Sequence, residues 1–160
     1  MEYIANYIGG ELREPNKKKY VKNINPSRGE AYSWLPESDE TDVELAVEAA
    51  QKAFPSWSAL AVEERSVYLR KIATQIELHL DRLSEDEARD NGKPMSLAKA
   101  HDISRSAANF KFFASSVLQF HGESFLTGST ALNYTEHSPL GVVACISPWN
   151  LPLLLLTWKL

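Results

Sequence analysis

The chain has 160 residues, 44% hydrophobic and 24% charged, which is enough for one ordinary domain and lies outside the composition of disordered chains. A formal net charge of -4 and a pI near 5.6 argue against a nucleic-acid surface, since the only basic run, Lys17-Lys18-Lys19, is short and reads as a solvated turn. A single cysteine excludes an internal disulfide framework, no secretion signal opens the chain, and the apolar stretch from Leu151 to Trp158 is far below the roughly 20 residues of a membrane span, so the expectation is a soluble cytoplasmic protein.

Tyr3 to Leu12 carries short strand-like pieces around the turn dipeptide Gly9-Gly10. Lys19 to Asn25 and Ala31 to Leu35 read as two strands joined by the turn Asn25-Pro26-Ser27-Arg28-Gly29. A first helix is expected after a cap at Asp39 or Thr41, with Val43, Val47, Ala50 and Phe54 on one stripe and Pro55 as its end. From Val62 a longer helix places Leu69, Ile72, Ala73, Ile76, Leu80 and Leu83 on one face. A third helical stretch begins before Gly92-Lys93-Pro94 and resumes at Met95, and its stripe of Phe110, Phe113, Val117 and Phe120 reads as core rather than as a stacking platform. The alternation from Ala131 to His137 predicts an edge or hairpin strand.

The last segment is the most informative. An unbroken apolar run from Leu140 to Ile146 predicts a strand buried on both faces, as in parallel sheets. Ser147-Pro148 breaks it, Asn150 has the chemistry of a helix N-cap, and Pro152 suits a first helical turn. Strand, tight turn and helix is the arrangement at which α/β proteins hold ligands. Leu160 then falls inside an apolar helical run with no cap or stop, so the chain is expected to be truncated.

Ile146-Ser147-Pro148-Trp149-Asn150-Leu151-Pro152, with Thr157-Trp158-Lys159, resembles the Pro-Trp-Asn segment of the NAD(P)-dependent aldehyde dehydrogenase superfamily. Asn25-Pro26-Ser27-Arg28-Gly29-Glu30 and Asp90-Asn91-Gly92-Lys93-Pro94 match the same family in the same order. The resemblance implies an α/β fold: residues 1–160 would be the incomplete N-terminal part of a Rossmann-like NAD-binding domain, with a β extension around 123–138 used for subunit contact and the catalytic domain absent. It further implies oxidation of an aldehyde through a covalent thiohemiacetal, hydride transfer to NAD and thioester hydrolysis, in a homodimer or homotetramer. The nucleophile and general base would lie beyond Leu160, so the 160 residues alone are expected to be inactive.

Asn150 admits two readings, a helix cap or a donor to a substrate oxygen, and the resemblance puts an oxyanion-hole asparagine there. The functional reading requires its amide to emerge where a buried strand turns into a helix. Ile146, Ser147 and Trp149, with Asn150, would form the wall beside the nicotinamide; there is no G-x-G-x-x-G, so the cofactor is inherited from the resemblance. Trp158 and Leu155, on the following helix, are implied as lining for an aldehyde tunnel, with plain packing as the alternative for Leu155. Lys159 is either a buried lysine, implied to move protons near the active site, or a snorkelling surface residue.

Arg105 bears on the substrate. Asp102-Ile103-Ser104-Arg105-Ser106 and Asn109 to Ala114 are similar to the 2-aminomuconic and 2-hydroxymuconic semialdehyde dehydrogenase branch, whose substrates carry a carboxylate that a guanidinium can hold bidentately. A solvent-facing helix arginine is the alternative. Cys145, inside the apolar run, is expected to be buried and inert. Asp102 and the backbone near Asn23 and Ile24 resemble positions that hold a monovalent cation in relatives, and no histidine spacing suggests zinc. Two rivals remain: a betaine-type or aliphatic aldehyde as substrate, and a non-catalytic remnant acting by subunit interaction through its apolar end.

Overall fold

Short strands open the chain in a computed structural model that describes all residues 1–160. β1 (Glu2–Tyr3) is followed by the hairpin β2 (Asn6–Ile8) and β3 (Glu11–Arg13). Gly9 and Gly10 turn it with φ of 62° and 87°, a pair of positive values that favours glycine. β4 (Tyr20–Asn25) and β5 (Glu30–Pro36) pair antiparallel, and β1 adds parallel to β5, giving a sheet of order β1-β5-β4.

Helices follow. α1 (Glu40–Ser58) starts at Asp39, whose carboxylate accepts the backbone N–H groups of Thr41 and Asp42 while Asp42 returns the favour to Asp39 N–H, a reciprocal capping box. Pro55 does not end this helix, contrary to the expectation; one more turn forms, and Ala59 N–H donates to the Pro55 carbonyl. A proline removes only the bond made by its own nitrogen, and so near a terminus that loss is small. The expected long second helix is two: α2 (Val62–Leu78) and α3 (Leu80–Asn91), broken at His79, which leaves helical geometry at φ -109°, ψ 20°.

Gly92 stops α3 in the left-handed conformation at φ 77°. A Cβ there would also stand 2.9 Å from Pro26 Cγ, so the turn after β4 packs directly on the end of α3. α4 (Met95–Leu97) runs into a π-helical segment, Ala98–Ile103, and then α5 (Ser104–Ser116). α2 and α5 lie against each other, with Ala73, Ile76, Ile103, Ala107 and Phe110 forming the core. Ser66 Oγ donates to the Ala114 carbonyl across this contact at 2.6 Å. Of the predicted aromatic stripe only Phe110 is buried; Phe113 and Phe120 are 46% and 69% exposed.

β6 (Ser124–Thr127) and β7 (Ala131–Tyr134) form the hairpin expected near residue 131, fully paired in register but packed on no other element. The predicted strand from Leu140 to Ile146 is absent: Leu140 is 96% exposed and no strand of this chain pairs with the run. A parallel strand exists only through its neighbours, and apolar composition without them leaves extended coil. Cys145 is accordingly exposed, not buried. The chain ends in α6 (Pro152–Leu156), whose Leu153 packs on the α2–α5 core.

β4, β5 and α3 meet in a polar cluster: Tyr32 Oη donates to Asp90 Oδ1 at 2.8 Å and accepts from Asn23 Nδ2 at 2.8 Å. Burial, the hydrogen bond to Asp90 and the Asp90 charge push the Tyr32 hydroxyl from 10.0 up to about 12. An unfolded chain would release this proton first, so Tyr32 contributes stability that is present below pH 10.0 and lost as pH rises through about 12. Tyr32→Phe is expected to flatten that decline, measured as the urea midpoint of variant and parent across the same alkaline interval.

Candidate functional site

The turn Ser147-Pro148-Trp149-Asn150 leads into α6 with Pro152 at its first position, as the sequence suggests. The cap is Leu151, however, and no side chain caps this helix, so Asn150 is not the N-cap. Its side chain is exposed and no strand precedes it, so the strand-to-helix geometry expected for it is not met within these residues. The physical reason is the one given for the whole run: the pairing partners of a buried strand are not among these residues.

What fixes the turn is a side chain that sequence reasoning passed over. Lys93 Nζ lies 3.4 Å from the Asn150 carbonyl oxygen. It also donates to Glu87 Oε1 at 3.2 Å and, more closely, to Asp102 Oδ2. The three charged side chains are 14%, 4% and 8% exposed. Asn91 steadies the arrangement from both sides, its Oδ1 accepting Lys93 N–H at 3.1 Å and its Nδ2 donating to Glu87 at 3.3 Å. Burial pushes the Glu87 carboxyl above its ordinary range, and the Lys93 hydrogen bond and charge only partly offset it. For Lys93 burial pulls downward, but its bonds to Asp102 and Glu87 outweigh it and leave the ammonium above the ordinary lysine value.

The π-helical segment explains why Asp102 reaches this lysine. A wider turn rotates the residues after it relative to a regular α-helix, and both Asp102 and Ile103 end up buried although they are adjacent. The carboxylate named in the monovalent-cation expectation takes part in this contact. Asp102 already holds an ammonium, while Ile24 sits exposed in β4 beside the register shift at Asn23.

A second region gathers the substrate candidates. Trp158 and Lys159 lie beyond α6, not on it, because the helix ends at Leu156. Trp158, with Leu69, Phe113, Val117, Phe120 and Lys159, lines an apolar cavity of about 480 Å³ between α2, α5 and the end of the chain. Lys159 is exposed and Leu155 is half-buried. Asn109 Nδ2 donates to Thr157 Oγ1 at 3.1 Å, tying α5 to the residue before Trp158. Arg105, exposed, stands one turn before Asn109 on the same side of α5.

Ile146 and Trp149 are 85% and 83% exposed, two large apolar groups flanking half-buried Ser147 at the turn. Ser147 also borders a cleft of about 640 Å³ formed with β5, α3 and α6. Groups of three or more histidine, cysteine or acidic side chains able to hold a metal ion are absent, and no helix is long and apolar enough to cross a membrane.

Comparison with known proteins identifies this architecture. The aldehyde dehydrogenase family profile matches residues 12–160. The chain is 43% identical over 158 residues to 2-aminomuconic semialdehyde dehydrogenase of Mus musculus, an alignment covering 98% of this chain and 32% of that protein. It is 45% identical over 163 residues to the Danio rerio protein of the same name, covering 100% and 33%. Among solved structures, an NAD+ complex of aldehyde dehydrogenase from Bacillus cereus superposes with a TM-score of 0.93 at 36% identity, covering 98% of this chain and 32% of that one. The chain therefore spans about a third of the length of the relatives it matches.

Proposed function

The chain belongs to the aldehyde dehydrogenase family, and we propose from this that it is the N-terminal, cofactor-side part of an enzyme oxidising a carboxylate-bearing semialdehyde with NAD. Residues 1–160 are read as the incomplete N-terminal part of the NAD-binding domain, and residues 123–138 as its β extension. The exposed Phe125, Leu126, Leu132 and Tyr134 of the β6–β7 hairpin support a role for that extension in assembly of a homodimer or homotetramer.

Ile146, Ser147 and Trp149 would hold the nicotinamide end of NAD, which supplies the hydride acceptor. With Leu140–Ile146 paired into a sheet by the rest of the enzyme, the geometry residues 1–160 do not meet by themselves, Asn150 would donate its amide N–H groups to the aldehyde oxygen as that oxygen takes up negative charge. Trp158 and Leu155 would line the way in for the aldehyde. Lys159 would assist proton movement once the remainder of the enzyme encloses it; its present exposure leaves the ammonium free to do so.

The observation that carries the substrate class is Arg105, exposed one turn from the residue that ties α5 to the Trp158 segment. An exposed guanidinium suits a substrate with a carboxylate at the end remote from its aldehyde. 2-Aminomuconate or 2-hydroxymuconate semialdehyde meets that description; betaine aldehyde and acetaldehyde do not. In the full-length protein carrying this segment, Arg105→Ala is expected to raise KM for such a semialdehyde about tenfold or more, the loss of one charge-assisted pair, and to leave KM for acetaldehyde unchanged. Equal KM values for parent and variant on the semialdehyde would refute the anchor.

A further inference from the structure

A lysine ammonium has three N–H donors, and Lys93 faces three acceptors on three different segments: Glu87 on α3, Asp102 in the π-helical segment, and the backbone carbonyl of Asn150 in the turn. We propose that Lys93 is a positioning residue for the reaction: it anchors the Asn150 turn to the helical layer and so sets where the Asn150 amide points. The proposal rests on the oxyanion reading of Asn150 and adds to it the group that holds that amide in place.

Two carboxylates on one buried ammonium fix its location more firmly than one would. Neither α3 nor the π-helical segment can move without breaking a charged hydrogen bond. The chain just after the turn is held as well, by the Leu153 N–H donated to Glu87 and by the packing of Leu153, but residue 150 itself has fewer restraints. Ile146, Trp149 and Asn150 are exposed, and α6 begins without a side-chain cap. Leu153 anchors the next turn of chain on the core, which leaves the Lys93 contact as the polar restraint on residue 150. An oxyanion donor works by being oriented before charge develops, so a loosened turn loses rate while substrate binding persists.

A double-mutant cycle in the full-length enzyme tests this. Asn150→Ala, Lys93→Met and the pair are compared by kcat and KM at a temperature where all are folded. Lys93→Met alone is expected to lower kcat and kcat/KM together, by about ten- to 100-fold, with KM little changed. In the Asn150→Ala background the same substitution should cost less than threefold, because the group it positions is gone. If Lys93→Met lowers kcat equally in both backgrounds, Lys93 acts on stability or elsewhere and the proposal is overturned. If Asn150→Ala alone leaves kcat intact, the oxyanion reading fails first, and the two failures are told apart by that single variant. Should Lys93→Met not fold, Lys93→Met with Glu87→Gln and Asp102→Asn, which leaves no unpaired charge, takes its place in the cycle with the same expectations.

Discussion

Lys93→Met is expected to destabilise the protein by about 3–5 kcal/mol, the range found when one partner of a buried ion pair is removed and the other charge is left uncompensated. Methionine fills the lysine stem's space, so the loss comes from charge rather than from a cavity. Glu87 and Asp102 are 4% and 8% exposed and would face each other with no cation between them. Glu87→Gln should behave differently. Its carboxyl already lies above the ordinary range because burial disfavours its charged form, so a neutral amide of the same shape should change stability by about 1 kcal/mol or less. The lysine pairing has a pH signature as well. Lys93 is raised in the folded state, so its contribution is complete below the ordinary lysine value of 10.5 and fades as pH rises through the higher folded value. Urea unfolding of the three proteins at neutral pH, read as midpoints at constant slope, checks the ranking. A Lys93→Met midpoint equal to the parent would mean that the ammonium contributes no net stability.

The local parts of the fold were legible because their causes are local. Gly9-Gly10 predicts its hairpin from backbone freedom alone, and Asp39, one of the two caps the sequence offers with Thr41, starts α1. His79 shows where periodicity misleads, since Ile76, Leu80 and Leu83 keep a helical spacing across a break. Their burial is real in either case: the same core accepts two shorter helices as readily as one. The run from Leu140 to Ile146 fails for a different reason. Its apolar residues specify a buried environment but do not create one, and the chain offers no adjacent strand.

The candidate site divides the same way. Three stretches singled out by their residues meet in space: Pro26 packs under Gly92, and Lys93, the next residue, reaches Asn150. That convergence is not readable from spacing, because residues 26, 92 and 150 are brought together by α3, the π-helical segment and α6. Lys93 itself was visible as part of the Asp90-Asn91-Gly92-Lys93-Pro94 motif, with no role attached to its side chain. A signal was present, a lysine between glycine and proline with carboxylates six residues before and nine after it. Those intervals fit no helical period, and Asp102 lies in the π-helical segment.

Asn150→Ala is expected to lower kcat by about 100- to 1000-fold in the full-length enzyme, the usual cost of one oxyanion donor. The structure sharpens this expectation by removing the competing role. A capping asparagine replaced by alanine costs about 1 kcal/mol of stability, but α6 has no side-chain cap and starts from Leu151. Asn150 is exposed, so its truncation should shift stability by less than about 0.5 kcal/mol. The contact from Lys93 goes to its backbone carbonyl, which alanine retains, so the turn should stay where it is. NAD binding, measured by quenching of tryptophan fluorescence, should be unchanged, because the apolar wall of Ile146 and Trp149 is intact. A variant with parental stability, parental NAD affinity and a collapsed kcat would separate transition-state stabilisation from every structural account of this residue. Parental kcat in the same protein would instead return Asn150 to the status of an ordinary turn residue.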